Sequence, residues 1–589
     1  MKKNFVIDNR TIYSIMVLII LLGSSLFIAV NSDGSGNNHI LYDHYTSLNS
    51  NSYGPIVPVA AYIPFYNQYG VSNFTEDNGS PASLLTVVVS LYPTNCTFMN
   101  SLLSEISDPS STMYHHFLSL NEFNQMFGGP QNVYNNLVSY VKTSGAVDIQ
   151  EFSDRSILGF KASANTVKNI FGIAIENYTS PIGDFYAPAG TPSLPLSIEP
   201  YVQSISGLSD YSELVIGHSP LISRALKATG FNSSSKSTLG YPIPVNYSGA
   251  QYIFGSDLQV AMNEVSLFKQ YGYPTNMVEA TILWSGEYNG SGNVQTREGL
   301  LKPGTYVGPF DPSDIYDYYN ETIPPGEPHS NVYGYPINGA PEPSFLSSYD
   351  TTGANIENTL DLEMLGSTAP GSTIYNAYGN TSSNSCLDLA FAALLNPSQT
   401  SPAYSNLLNL SVISNSWGGP DCVNSTWNSM LKEATLRGIT VMAASGDDGD
   451  CYSNVNKEYL GSNESFPASV AYDNYGMLAV GGVSMYLNTN LSIVSEKNWF
   501  VPATSSTGYA VGTTSGISHL YAEPSWQVNS SANLLINGAG RGVPDLSSLA
   551  NDTIMTITIC GDTYYASNAS IGRPFEAVAG TSIDGTPSI

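Results

Sequence analysis

The spacing of hydrophobic positions changes character between the two halves of this chain. Residues 84–92, Leu-Leu-Thr-Val-Val-Val-Ser-Leu-Tyr, form an apolar run of strand length. Helical spacing follows over 96–106, 121–127 and 133–143, short strand patterns over 149–152 and 157–162, and a helix over 164–171. This order predicts a compact α+β unit. Residues 181–247 are rich in Pro, Gly and Ser without sustained period and read as a connector. Further on, strand and helix alternate. Strands are expected over 373–377, 408–414, 440–444 and 477–480, with helices over 385–395 and 427–437. Apolar strands separated by helices predict a doubly wound, mainly parallel α/β sheet, whose sites lie beyond the strands' C-terminal ends. The Tyr-, Pro- and Gly-rich stretch 289–349 reads as a surface excursion.

The ends and the composition add export to this picture. Lys2, Lys3 and Arg10 precede an uncharged, mostly apolar stretch over 12–30, which suits either a signal peptide or a retained anchor. The expected organisation is an export segment (1–31), a polar linker (32–54), the α+β unit (55–180), the connector with a processing site (181–247) and the α/β unit (248–589). Charged residues make up only 11% of the chain, against about a quarter in ordinary soluble proteins. The net charge is −28, and the 19 Lys and Arg form no stripe, which argues against nucleic acid as a partner. Few cations limit self-repulsion once carboxylates are protonated, so the surface suits acid. A heavily glycosylated secreted protein is the other reading of it, and Asn-x-Ser/Thr acceptors recur at Asn73, Asn95, Asn177 and beyond. Both place the chain outside the cell or at its surface. None of the five cysteines forms a CxxC pair, so zinc is not expected. Cys422 and Cys451 both follow strand ends and are the expected disulfide.

Three short motifs carry candidate chemistry. Glu357 and Asp361 stand four apart in an expected helix over 353–364, on one face of it. Adjacent carboxylates tend to share a proton and separate their pKa values, which makes a base and relay pair. The same spacing also occurs on solvated helix faces. Asp447, Asp448 and Asp450 follow a strand end. They suit an oxygen-rich calcium loop, or one of them, protonated in acid, suits hydrogen bonding to a developing oxyanion. Gly580-Thr581-Ser582 offers a serine, and neither His329 nor His519 sits in a motif of a triad base. A carboxylate base with a pKa of about 4 works in acid, where an imidazole of about 6.5 is already protonated.

The surroundings of these motifs resemble the sedolisin (serine-carboxyl peptidase) family with its pro-kumamolisin type activation domain, from about residue 84 onward. Ser107-Asp108-Pro109, Tyr114-His115-His116-Phe117-Leu118 and Asn121-Glu122-Phe123 are similar to the propeptide signature. Glu357-x-x-x-Asp361, Ser416-Trp417-Gly418, Ser445-Gly446-Asp447, Phe466-Pro467-Ala468, Ala479-Val480-Gly481-Gly482, Gly540-Arg541-Gly542-Val543-Pro544-Asp545 and Gly580-Thr581-Ser582 follow in the family's order. The resemblance implies a subtilisin-like sheet behind a ferredoxin-like prodomain. It makes Ser582 the nucleophile, Glu357 the base, Asp361 its partner and Asp447 the oxyanion acid. Ser416, Trp417 and Gly418 would line the substrate cleft. Protein or peptide substrates would be cleaved, with the chain's own propeptide as intramolecular inhibitor. The chain departs from the pattern after Ser582. Pro587 stands five residues on rather than four, and the family's next helix and calcium site have no counterpart before Ile589. Calcium is therefore expected from the resemblance, with ligands not present in this chain. The expectation is a secreted, acid-acting endopeptidase precursor, incomplete at its C-terminus. Alternatives are an inactive cell-surface binding protein of the same fold and a tripeptidyl-type exopeptidase.

Overall fold

The computed structural model describes residues 53–579 apart from 69–70, 72, 78, 217–221, 227–235, 248–249, 448, 450–451, 454–457, 460–464, 502–510, 532, 551–552, 560–561 and 565–574. Chain contacts separate Met1–Ile56 from Val57–Ile589, and the architecture below belongs to the second of these. The apolar stretch 12–30 lies outside the described residues.

The first layer is built from β1 (Leu85–Leu91), α1 (Cys96–Ser107), α2 (Leu120–Met126), α3 (Gln131–Thr143), β2 (Val147–Glu151), β3 (Ile157–Ala162), α4 (Ala164–Phe171) and β4 (Val202–Ser206). The strands form one antiparallel sheet in the order β2-β3-β1-β4. This is the split βαβ arrangement of ferredoxin-like folds. Helix α2 starts on a capping box, in which Ser119 accepts from the Glu122 amide and Glu122 accepts from the Ser119 amide. One expectation is corrected here. Residues 181–247 are not merely a connector, because Gly183–Pro188 pairs with Ile175–Ser180 and β4 completes the sheet beside β1. A short strand such as β4, whose partner β1 lies far back along the chain, leaves no period in the sequence.

The second layer is the large sheet. Its elements are β5 (Val278–Trp284), α5 (Pro312–Thr322), β6 (Asn331–Pro336), α6 (Ala354–Thr368), β7 (Thr373–Gly379), α7 (Asn384–Leu395), β8 (Leu410–Asn415), α8 (Ser425–Leu436), β9 (Thr440–Ala444), β10 (Leu478–Leu487), β11 (Ile493–Asn498) and β12 (Leu546–Leu549). The strand order is β6-β7-β5-β8-β9-β10-β11, with β12 also on β10. Every pairing is parallel except that of β10 with β11. The fold is therefore the doubly wound α/β sheet that the sequence predicts. Alternation along β5 sets its two faces. Ala280 and Ile282 join the core that contains α7, while Thr281 bonds Asn376, which bonds Asn358 of α6. Helices α6 and α7 thus cover opposite faces. Strand β5 sits between β7 and β8, although buried Glu279 and Thr281 interrupt its apolar run. The stretch 289–349 holds hairpins, α5 and edge strand β6, so it is partly framework rather than a surface excursion.

Helices α7 and α8 serve both layers. They lie on the large sheet and also receive β1, β3, β4 and α1 of the small domain. Val88 and Ile157 share one buried core with Leu389 and Trp427. A Cβ at Gly159 would meet the Leu389 side chain at 2.5 Å, so glycine allows the two surfaces to close. Polar groups fix the seam. Ser206 donates to Asp388 Oδ2 at 2.7 Å, Trp427 Nε1 donates to Asp388 Oδ1 at 2.9 Å, and Gln203 Nε2 donates to Ser429 Oγ at 2.8 Å.

Candidate active site

Helix α6 is the centre of the site. Fourteen of its fifteen residues are buried, so every polar side chain on it requires a partner. Asn358 donates to Ala354 O at 2.7 Å and Trp284 O at 3.1 Å, and accepts from Asn376 at 2.8 Å. Glu363 accepts from the Thr556 amide at 3.1 Å. These bonds fix the helix in rotation as well as in position. Glu357 and Asp361 are neighbours one turn apart on it, 7% and 0% exposed. The sequence-predicted pair is thus a buried pair rather than a solvated face.

Asp361 Oδ1 accepts the Ser416 hydroxyl at 2.7 Å. Burial, and then the neighbouring Glu357 carboxyl, push Asp361 well above the ordinary carboxylate range, and the Ser416 bond opposes this. Ser416 is the first residue after β8. Its neighbour strand β9 ends at Ala444 and leads into Ser445-Gly446-Asp447. The two parallel strands therefore deliver Ser416 and Asp447 to the same end of the sheet, where open α/β sheets place their sites.

Asp447 is buried, 8% exposed. Its loop is held by backbone bonds from the Gly512 amide to Asp447 O at 2.9 Å and from the Thr514 amide to Gly446 O at 2.8 Å. Gly446 has φ +107, and a Cβ there would meet Thr514 Oγ1 at 2.8 Å, so this turn requires glycine. Asp448, Asp450 and Ser582 lie outside the described residues. The strand leading toward Ser582, Phe575–Ala579, pairs with Thr553–Met555, the segment whose next residue, Thr556, is bonded to Glu363 on α6. The approach to the serine and the helix of the carboxylates are thereby tied together.

Other expected residues take different places. The Trp417 ring is buried against Trp427, at 5.3 Å between centroids, and Phe466, at 6.0 Å, so its side chain belongs to the core. Gly418 permits close approach, since a Cβ there would meet Ser465 Cβ at 2.9 Å. Cys422 is buried and has no disulfide partner among the described residues, and its expected partner Cys451 lies outside them. Among the described residues no three His, Cys, Asp or Glu side chains converge on a point that would hold a metal ion, so no calcium site is assigned. Sequence reasoning missed the bond between Ser416 and Asp361, and it missed Asn358 and Asn376. The one available signal was the string of polar residues within a helix flanked by buried strands.

Residues 75–211 match the family model described as pro-kumamolisin, activation domain. Kumamolisin of Bacillus sp. (strain MN-32) is 25% identical over 426 residues, which is 70% of this chain and 64% of that protein. The chain therefore spans just under two thirds of this curated relative. Xanthomonalisin of Xanthomonas sp. (strain T-22) is 23% identical over 128 residues, 22% of this chain and 16% of that protein. Among solved structures, a Pseudomonas sedolisin (serine-carboxyl proteinase) complexed with pseudo-iodotyrostatin aligns at 20% identity. It covers 57% of this chain and 77% of its own, with a TM-score of 0.38.

Proposed function

We propose that this chain, a relative of the sedolisin family of serine-carboxyl peptidases, is the precursor of a secreted, acid-acting endopeptidase held inactive by its own N-terminal domain. The observation that carries this reading is the buried Glu357–Asp361 pair, with Asp361 seated by Ser416. Such a pair holds one proton. Asp361, with its raised pKa, keeps that proton, and Glu357 is left as the acceptor.

In this mechanism Ser582 Oγ attacks the scissile carbonyl carbon as its proton passes to Glu357. The carbonyl oxygen becomes an oxyanion, stabilised by the protonated Asp447 carboxyl and the Ser582 amide. Glu357 then returns the proton to the leaving amine, which departs and leaves an acyl-enzyme at Ser582. Water, activated by Glu357, hydrolyses the ester. Loss of the shared proton at high pH places two charges side by side, so activity falls as pH rises toward neutrality. The small domain, seated on α7 and α8, acts as inhibitor and folding template until cleavage in the segment that follows it. The chain works outside the cell or at its surface, as its N-terminal stretch and composition suggest.

The test is hydrolysis of denatured casein by the processed protein between pH 3 and pH 8. Activity confined to the acid side and abolished in Glu357→Gln supports the carboxylate base. Activity that appears only above neutrality would rule that base out.

A further inference from the structure

We propose that the Ser416 hydroxyl is a positioning residue of the active site, which fixes Asp361 and thereby decides which carboxyl oxygen carries the proton shared with Glu357. This deepens the reading above and rests on it. The sequence places Ser416 with the substrate cleft, yet its side chain is 5% exposed and donates to a carboxyl that is 0% exposed.

The argument is one of acceptor accounting. An ionised carboxylate seeks several donors. Asp361 Oδ1 has one, from Ser416 at 2.7 Å, and Oδ2 has none among the described residues. A buried carboxyl so poorly supplied is stable as the neutral acid. Because Oδ1 already accepts a hydrogen bond, the proton resides on Oδ2. The hydroxyl thus orients the carboxyl and removes one of two sites where the proton would otherwise rest. Little else on the described elements competes. The titratable group that bears on Asp361 is Glu357 of its own helix. Elsewhere against α6, Asp314 bears on Glu363, while Glu279 and Asp257 bear on the phenols of Tyr319 and Tyr318.

Strand pairing explains why a serine after β8 can do this. Strand β8 lies next to β5, and α6 rests on β5 and β7, so the residue leaving β8 emerges beside the helix. Thr281, Asn376 and Asn358 anchor the same helix from beneath, at 2.7 and 2.8 Å. Ser416 bonds the reactive pair itself, at Asp361.

The test compares full-length protein carrying Ser416→Ala or Ser416→Thr with the unaltered chain. Ser416 stabilises the ionised form of Asp361, the member that keeps the proton, so its removal raises the pair's second ionisation. The alkaline limb of kcat/KM moves up by about one pH unit, and kcat falls about tenfold with KM little changed. Ser416→Thr retains the hydroxyl and restores both. A raised KM with an unmoved alkaline limb would assign Ser416 to substrate contact and overturn the proposal. A second readout does not depend on peptidase activity. In the Ser582→Ala chain, adding Ser416→Ala makes the melting temperature fall more steeply from pH 4 to pH 7, because a folded-state pKa raised further releases its proton later. With Asp361→Asn also present, that extra pH dependence disappears. Melting curves with the same pH dependence with and without Ser416 overturn the positioning role. Absence of hydrolysis by the unaltered chain, with the melting effect present, overturns the peptidase reading alone.

Discussion

In the proposed mechanism Glu357 serves as a base in acid because its buried neighbour Asp361, raised by burial and by Glu357, keeps the proton the pair shares. The proposal makes the same demand of Asp447, which must be protonated to donate to the oxyanion. Replacing it with alanine removes an oxyanion donor, so kcat/KM is expected to fall by about 10² to 10³, measured on the processed protein at acid pH. Asp447→Asn keeps a donor that does not titrate. It should retain more activity than the alanine variant and extend it toward neutral pH. The pair was legible because four-residue spacing on a helix is a local rule. The Ser416 contact was not, because it joins side chains 55 positions apart through the order of strands in a sheet. Trp417, placed with the cleft by the family resemblance, has its ring packed in the core against Trp427.

At the scale of elements, α6 is a helix without a wet face. Its position rests on buried polar bonds, and the same bonds make it sensitive. Asn358→Ala removes the donor to the Trp284 carbonyl and leaves Asn376 with Thr281 alone, and is expected to cost about 2 kcal/mol in denaturant unfolding. Gly366→Ala directs a methyl into the Tyr319 ring, whose hydroxyl donates to Leu362 O. It should destabilise the fold by about 1–3 kcal/mol through overpacking. Most helices and parallel strands were legible, since apolar runs and helical spacing are written locally. Strand β5 was obscured by its buried Glu279, and β4 by the Pro- and Ser-rich stretch around it. Both owe their place to partners far along the chain.

At the scale of the molecule, the seam between the small domain and the large sheet buries carboxyls from both sides. Asp388 is pushed up to about 7 by burial, against the bonds from Ser206 and Trp427. Glu433 is pushed up to about 8 by burial and by Asp154 of the small domain, against the pull of Arg437. Asp154 is itself raised by burial, and it and Glu433 line a small cavity of about 20 Å³. Raised values mean that the folded precursor binds more protons than the unfolded chain. Its stability is fully present below about pH 4 and is lost as pH rises through 7 to 8. Hydrogen exchange in β1 and β3 of the Ser582→Ala precursor should therefore accelerate from pH 5 to pH 8, and Asp388→Asn should blunt the change. Equal protection at both pH values would show that the seam does not sense protons.

The central claim is that a serine served by carboxylates cuts peptide bonds in acid. Its most direct measurement is self-processing of the purified precursor at pH 4 and pH 7, beside Ser582→Ala and Glu357→Ala. The account predicts release of the small domain at pH 4 by the unaltered chain, little at pH 7, and none by either variant at either pH. Identical behaviour of all three proteins would contradict it.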